Sequence, residues 1–135
     1  MPNLFRLGLF RLHSGDLSTW KIDCEALSDN DIRTLATIIE CRFEFSQAVG
    51  IPKGGLRLAE ELNLRPHTPG APVLIVDDVL TTGNSMEEKR REIGGTPIGV
   101  VIFSRGLCPS WVYPIFAFWD KVLLAQGANM GEAKP

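Results

Sequence analysis

Apolar residues recur along this chain at two different spacings, and the changes between them mark out its elements. Residues 4–18 alternate loosely and run into the turn formers Ser14, Gly15 and Asp16, which predicts an N-terminal strand or hairpin outside the main sheet. Trp20, Ile22 and Cys24 alternate with Lys21 and Asp23 and supply its second strand. Behind Ser28 the spacing changes: Ile32, Leu35, Ala36 and Ile39 form one helical face, with Asp31 completing an imperfect capping box. Residues 43–49 read as the first core strand, and 54–63 as a second helix that packs through Leu56, Ala59 and Leu62. Val73, Leu74, Ile75 and Val76 then run without alternation, the pattern of a strand buried on both faces of a parallel sheet. A charged helix over 86–93 stops at Gly94 and Gly95, and 98–103 and 112–119 are two further strands. Residues 120–126 predict a last turn of helix, and 127–135 a frayed tail. Strands alternating with helices predict an α/β domain of three layers around a mostly parallel sheet.

Composition narrows this picture. The 135 residues are enough for one domain with a single core, divided here into an N-terminal segment (1–27), an α/β core (28–126) and a tail (127–135). Hydrophobic residues make up 44% and charged residues 22%, as in ordinary globular chains rather than disordered ones. A net charge of −2 removes the global electrostatic case for a nucleic-acid partner. Cys24, Cys41 and Cys108 are widely separated and have only His13 and His67 to join them, which argues against a zinc site or a disulfide framework. Arg6 and Arg11 interrupt the apolar N-terminus, and the apolar run 111–119 is short and contains Pro114. These features predict a soluble cytoplasmic protein with no membrane partner.

The chemistry concentrates in 73–85, VLIVDDVLTTGNS. Asp77 and Asp78 follow the buried strand directly, and Thr81, Thr82, Gly83, Asn84 and Ser85 form a small hydroxyl-rich turn before a helix. Ligands of open α/β sheets bind beyond the carboxyl ends of strands, where a helix N-terminus offers N–H groups to phosphate. Carboxylates accept hydrogen bonds from vicinal hydroxyls and face hydrated magnesium. The layout suits a phosphorylated sugar; an ordinary strand end with an acidic turn is the plainer alternative. A second glycine loop, Gly50, Ile51, Pro52, Lys53, Gly54 and Gly55, lies between a strand and a helix. Its glycines allow positive φ and close backbone approach, and Lys53 can offer charge to a phosphate.

A hydrophobic strand, two acids and T-T-G-x-S resemble the phosphoribosyl pyrophosphate (PRPP) signature of the type I phosphoribosyltransferases. The resemblance implies that family's three-layer fold and transfer of ribose 5-phosphate from PRPP to a nitrogenous base. It implies Asp77 and Asp78 on the ribose hydroxyls and on Mg2+, directly or through water, with the 81–85 turn on the 5′-phosphate. The earlier loop, 50–55, would grip the pyrophosphate; in the family this loop commonly holds a cis peptide.

The segment FRLHSGDLSTWKIDCEAL is similar to the start of orotate phosphoribosyltransferases, where an F-x-L-x-S-G pattern forms a hood over the base. By this resemblance Ser14 and Gly15 shape the hood, Trp20 or Lys21 faces the base, and Arg105 falls near the family's base-contacting arginine. The alternatives are a plain hairpin with Trp20 in the core and a solvated or helix-capping Arg105. His13 and Asp16 stand where many orotate enzymes carry basic residues, which weakens attraction for an anionic base.

The resemblance also exposes a gap. The family places a strand, a flexible basic loop and a returning strand before the PRPP strand, whereas this chain has only LRPHTPGAP. The sheet is therefore expected to be reduced at one edge to about four main strands, with Arg65 and His67 as a vestigial clamp. The expected function is a magnesium-dependent phosphoribosyltransferase acting on a pyrimidine-like or other base. Its alternatives are a non-catalytic PRPP- or nucleotide-binding module and, against the acidic balance, an RNA-binding regulator. The run EEKRRE (87–92) is read as a solvated face with pairs such as Glu87–Arg91. The run WVYPIFAFW is read as core packing or a homodimer interface.

Overall fold

The computed structural model describes residues 3–12, 15 and 17–118. The expected last helical turn and tail lie outside these residues, as do His13, Ser14 and Asp16.

Strands β1 (Phe5–Arg11) and β2 (Leu17–Ile22) pair antiparallel in a two-stranded sheet of their own. A 3-10 turn, Cys24–Ala26, leads to helix α1 (Asp29–Arg42). Asp31 serves fully where the sequence suggested an imperfect box. The Ser28 hydroxyl accepts from the Asp31 amide at 3.0 Å, and the Asp31 carboxylate accepts from the Ser28 amide at 2.9 Å.

The main sheet contains β3 (Ala48–Gly50), β4 (Leu74–Leu80), β5 (Ile98–Ser104) and β6 (Val112–Ala117), in that spatial order and all parallel. Helix α2 (Leu56–Asn63) joins β3 to β4, and α3 (Asn84–Ile93) joins β4 to β5. The unalternating run of β4 is explained by its two covered faces. Leu74 and Val76 pack with Ile32, Leu35 and Ile39 of α1 and with Leu58 and Leu62 of α2. Ile75 points the other way, into a cluster with Met86 of α3, Val101 and Val112. Three layers follow, with α1 and α2 on one face and α3 on the other.

Strand lengths differ from the sequence reading at both ends of the site. The first core strand is only Ala48–Gly50. Residues 43–47 instead bury Phe45 and bond to the following connection, Phe45 O accepting from Thr68 N and Ser46 N donating to Pro72 O. β4 runs on through both aspartates to Leu80, because its ladder with β5 continues from Asp77 opposite Val101 to Leu80 opposite Ser104. On α3 the ion pairs are Glu87–Arg90 at 3.8 Å and Lys89–Glu92 at 3.3 Å, rather than Glu87–Arg91.

The hairpin joins the core through aromatics. Phe118, just past β6, lies 5.8 Å from Phe5, 6.3 Å from Trp20 and 5.7 Å from Phe103 between ring centroids. Part of the aromatic run is thus packing, while Tyr113 and Phe116 remain about half exposed on the outer strand. Among the described residues no helix is long and apolar enough to cross a membrane.

Candidate active site

The sheet carries its polar residues at one end. Parallel strands β3 and β4 deliver loop 50–55 and the Asp77–Asp78 pair to the same rim, where α3 begins. Together they line a cleft of about 910 Å3, closed on another side by Arg11, Lys21, Asp23, Cys24 and Glu25 from the hairpin and the turn after it.

Loop 50–55 is held against β4 by backbone contact. Ile51 N donates to Val76 O at 2.9 Å, and a Cβ added at Gly55 would fall on Val76 O. A Cβ at Gly54 would fall on the Asp78 carboxylate, so this glycine lets the loop and the acid meet. Neither glycine, nor Gly50, has positive φ; close approach alone accounts for them. The Pro52–Lys53 peptide is cis.

The two acids are oriented by the chain itself. Asp77 Oδ1 accepts from Asp78 N at 2.8 Å, and Asp78 Oδ1 accepts from Val79 N at 2.7 Å. Burial, and then the adjacent Asp78 charge, push the Asp77 carboxyl up to about 8. Cys24 opens onto the same cleft. Burial first, and then the charges of Asp78, Asp23 and Asp77, push its thiol up to about 12.

Beyond β4, residues 81–85 wrap the start of α3. Gly83, at φ +86°, takes the N-cap position with no side chain of its own to cap the helix, and the Thr82 hydroxyl accepts from Asn84 N at 3.4 Å. Thr82, Asn84 and Ser85 are exposed there, so hydroxyls and first-turn amides face the cleft. Such a helix start is suited to an anion.

Of the residues singled out from sequence, Asp77, Asp78, Thr81, Thr82, Gly83, Asn84, Ser85, Ile51, Pro52, Lys53, Gly54, Lys21 and Arg105 line this cleft. Gly50, the last residue of β3, and Gly55, the N-cap of α2, end the loop and do not line the cleft. Gly15 sits in the hairpin turn, bonded to Leu12 O and Arg11, while Ser14 lies outside the described residues. Trp20 and Lys21 take different positions. Lys21 reaches the cleft, whereas Trp20 packs with Phe5 and Phe118 under the Arg105 guanidinium, 3.6 Å from its ring centroid. Arg105 is 4% exposed and bonds Trp20 O at 3.1 Å and Ser18 Oγ at 2.9 Å. It is a tie between core and hairpin rather than a solvated or capping arginine.

The vestigial clamp is not formed. Arg65 turns to α1 and α2, bonding Thr37 Oγ1 at 2.7 Å, Arg33 O at 2.9 Å, Glu61 at 3.2 Å and Glu40 at 3.4 Å. His67 Nδ1 meets Arg65 O at 2.9 Å, and neither residue lines the cleft. Sequence reasoning missed Arg57, which lies on the cleft wall and bonds Leu27 O and Asp29 at 3.1 Å each. Its place two residues after the glycine loop was the available signal. Cys24 and Glu25 carried none.

The architecture is that of the type I phosphoribosyltransferases. The chain is similar to orotate phosphoribosyltransferase from Aeropyrum pernix, with a TM-score of 0.68 and 24% identity over 93% of this chain and 93% of that one. Leishmania donovani UMP synthase matches with a TM-score of 0.62 and 19% identity, over 96% of this chain and 36% of that one. Mycobacterium tuberculosis orotate phosphoribosyltransferase, in complex with inorganic phosphate, matches at 0.57 and 17% over 82% and 86%. No protein-family model and no curated protein matches the chain by sequence.

Proposed function

We propose that this chain binds PRPP and transfers its ribose 5-phosphate to a nitrogenous base, pyrimidine-like or other, with release of pyrophosphate. One observation carries the reading: a single cleft unites an oriented acid pair, a helix start with a glycine N-cap and exposed hydroxyls, and a glycine loop in contact with the acids. Asp77 and Asp78 accept hydrogen bonds from the ribose hydroxyls, the 81–85 turn takes the 5′-phosphate, and loop 50–55 with Lys53 faces the pyrophosphate. The C1–oxygen bond to pyrophosphate breaks as a base nitrogen attacks C1. The chain contributes positioning and fixed charge. A thiol pushed up to about 12 stays protonated at neutral pH, so Cys24 is no nucleophile.

The acid pair also fits magnesium. Burial and mutual repulsion make Asp77 hard to ionise, and a cation relieves both. Among the described residues no group of three His, Cys, Asp or Glu side chains is placed to hold a metal ion by itself, so most coordination positions would go to water and substrate oxygens, as magnesium prefers. Bound there, it would neutralise charge on the departing pyrophosphate.

Purified protein with magnesium, PRPP and a panel of bases is expected to release pyrophosphate with at least one base. A second reading, a PRPP-binding module without turnover, is favoured by residues 64–73, which are bonded along residues 43–47 and do not line the cleft. PRPP binding with no pyrophosphate release for any base selects that reading. Asp77→Asn with Asp78→Asn should weaken PRPP binding about 100-fold with the fold intact, and unchanged affinity would remove the ribose site. Tyr113 and Phe116 supply the surface for a homodimer, tested by sedimentation at micromolar concentration.

A further inference from the structure

The helix that receives phosphate in this reading carries an acid in its own first turn. Glu87 follows Gly83, Asn84, Ser85 and Met86, all four of which line the cleft, yet Glu87 does not. A carboxylate in the first turn is drawn to the positive end of the helix dipole. There it would repel a phosphate and compete with it for the same amides. Its position in this structure is set by two other residues. Trp111 Nε1 donates to Glu87 Oε1 at 2.7 Å, and Arg90, one turn further along α3, holds Oε2 at 3.8 Å. The Arg90 guanidinium also lies 5.1 Å from the Trp111 ring centroid, so the three side chains form one unit.

The indole is itself fixed. Trp111 O accepts from Gly99 N at 2.9 Å. A Cβ at Gly99 would stand 2.7 Å from Met86 Cε and 2.9 Å from Trp111 Cζ3, so the strand, helix and ring pack without a gap there. The donor cannot follow Glu87 toward the helix start without breaking that packing.

We infer that Trp111, with Arg90, is a positioning residue for the phosphate site: it turns the Glu87 carboxylate down α3 and leaves the helix N-terminus open to the substrate's anion. The inference rests on the proposal that the 81–85 turn binds the 5′-phosphate.

Calorimetric titration with PRPP and with ribose 5-phosphate tests it. Trp111→Phe keeps the ring but removes the donor, and should weaken both ligands about 3–10-fold. Adding Glu87→Gln should restore the affinity, while Glu87→Gln alone stays near the parent. Arg90→Met, which keeps an apolar stem over the indole, gives a second reading with the same rescue and serves if Trp111→Phe folds poorly. A merely structural Trp111 would leave the double variant as weak as Trp111→Phe, and that result overturns the inference, as does unaltered binding in both Trp111→Phe and Arg90→Met. If the parent binds neither ligand, or if Thr81→Ala with Ser85→Ala leaves binding unchanged, the phosphate reading fails and takes this inference with it.

Discussion

The Asn63 side chain takes the place of a neighbouring strand beside Ala48. Its Oδ1 accepts from Ala48 N and its Nδ2 donates to Ala48 O, both at 2.8 Å. β3 is an edge strand, and on its inner side it pairs with β4. One amide at the end of α2 therefore satisfies the outward backbone groups at the edge where the sheet is reduced. Asn63→Ala removes both bonds and should cost about 1–3 kcal/mol in urea unfolding. Asn63→Asp, which accepts but cannot donate, should cost at least as much at pH 7. Loss of under about 0.5 kcal/mol in both would mean that water replaces the amide freely.

Gly54 couples the two halves of the site. Because a Cβ there would fall on the Asp78 carboxylate, Gly54→Ala must move either the loop or the acid. PRPP binding is expected to weaken more than 10-fold in this variant. Parent-like binding by Gly54→Ala would separate the loop from Asp78.

Much of this was legible in the sequence because it is local. The unbroken VLIV run declared a strand covered on both faces, Ser28 with Asp31 declared a helix start, and the shortness of 64–72 declared a reduced sheet. What escaped was set by partners distant in the chain. The length of β4 past Asp77 depends on its ladder with β5. Arg65 turned from the site because Thr37 and Glu40 wait on α1. The place of Trp20 depends on Phe5, Phe118 and Arg105. Periodicity places a side chain on a face but does not say which face meets a ligand.

The cysteines differ sharply in predicted reactivity. Cys41 is exposed on α1, whereas Cys24 is held protonated by burial and by three nearby carboxylates. At pH 8, iodoacetamide should alkylate Cys41 at least about 100-fold faster than Cys24, because thiolate is the reacting form. Peptide mass spectrometry over a time course reads the two rates separately. Comparable rates would mean that Cys24 is neither buried nor near those charges.

Asp77 should make the ligand-free protein less stable as pH rises. Its carboxyl is pushed up to about 8 in the folded state against 3.8 for the ordinary group, so the folded chain holds the proton more tightly. Below 3.8 both states are protonated and the contribution to stability is fully present. Through the window from 3.8 to about 8 the unfolded chain ionises first, and that contribution is lost as pH rises. Asp77→Asn cannot ionise and escapes the loss. Without magnesium it should be more stable than the parent at pH 8 by about 1 kcal/mol or more, a Tm rise of about 2–4 °C, with the gap closing toward pH 4. A gap that stays constant from pH 4 to pH 8, or a variant less stable than the parent at pH 8, would show that the pair is not electrostatically strained without its ligand.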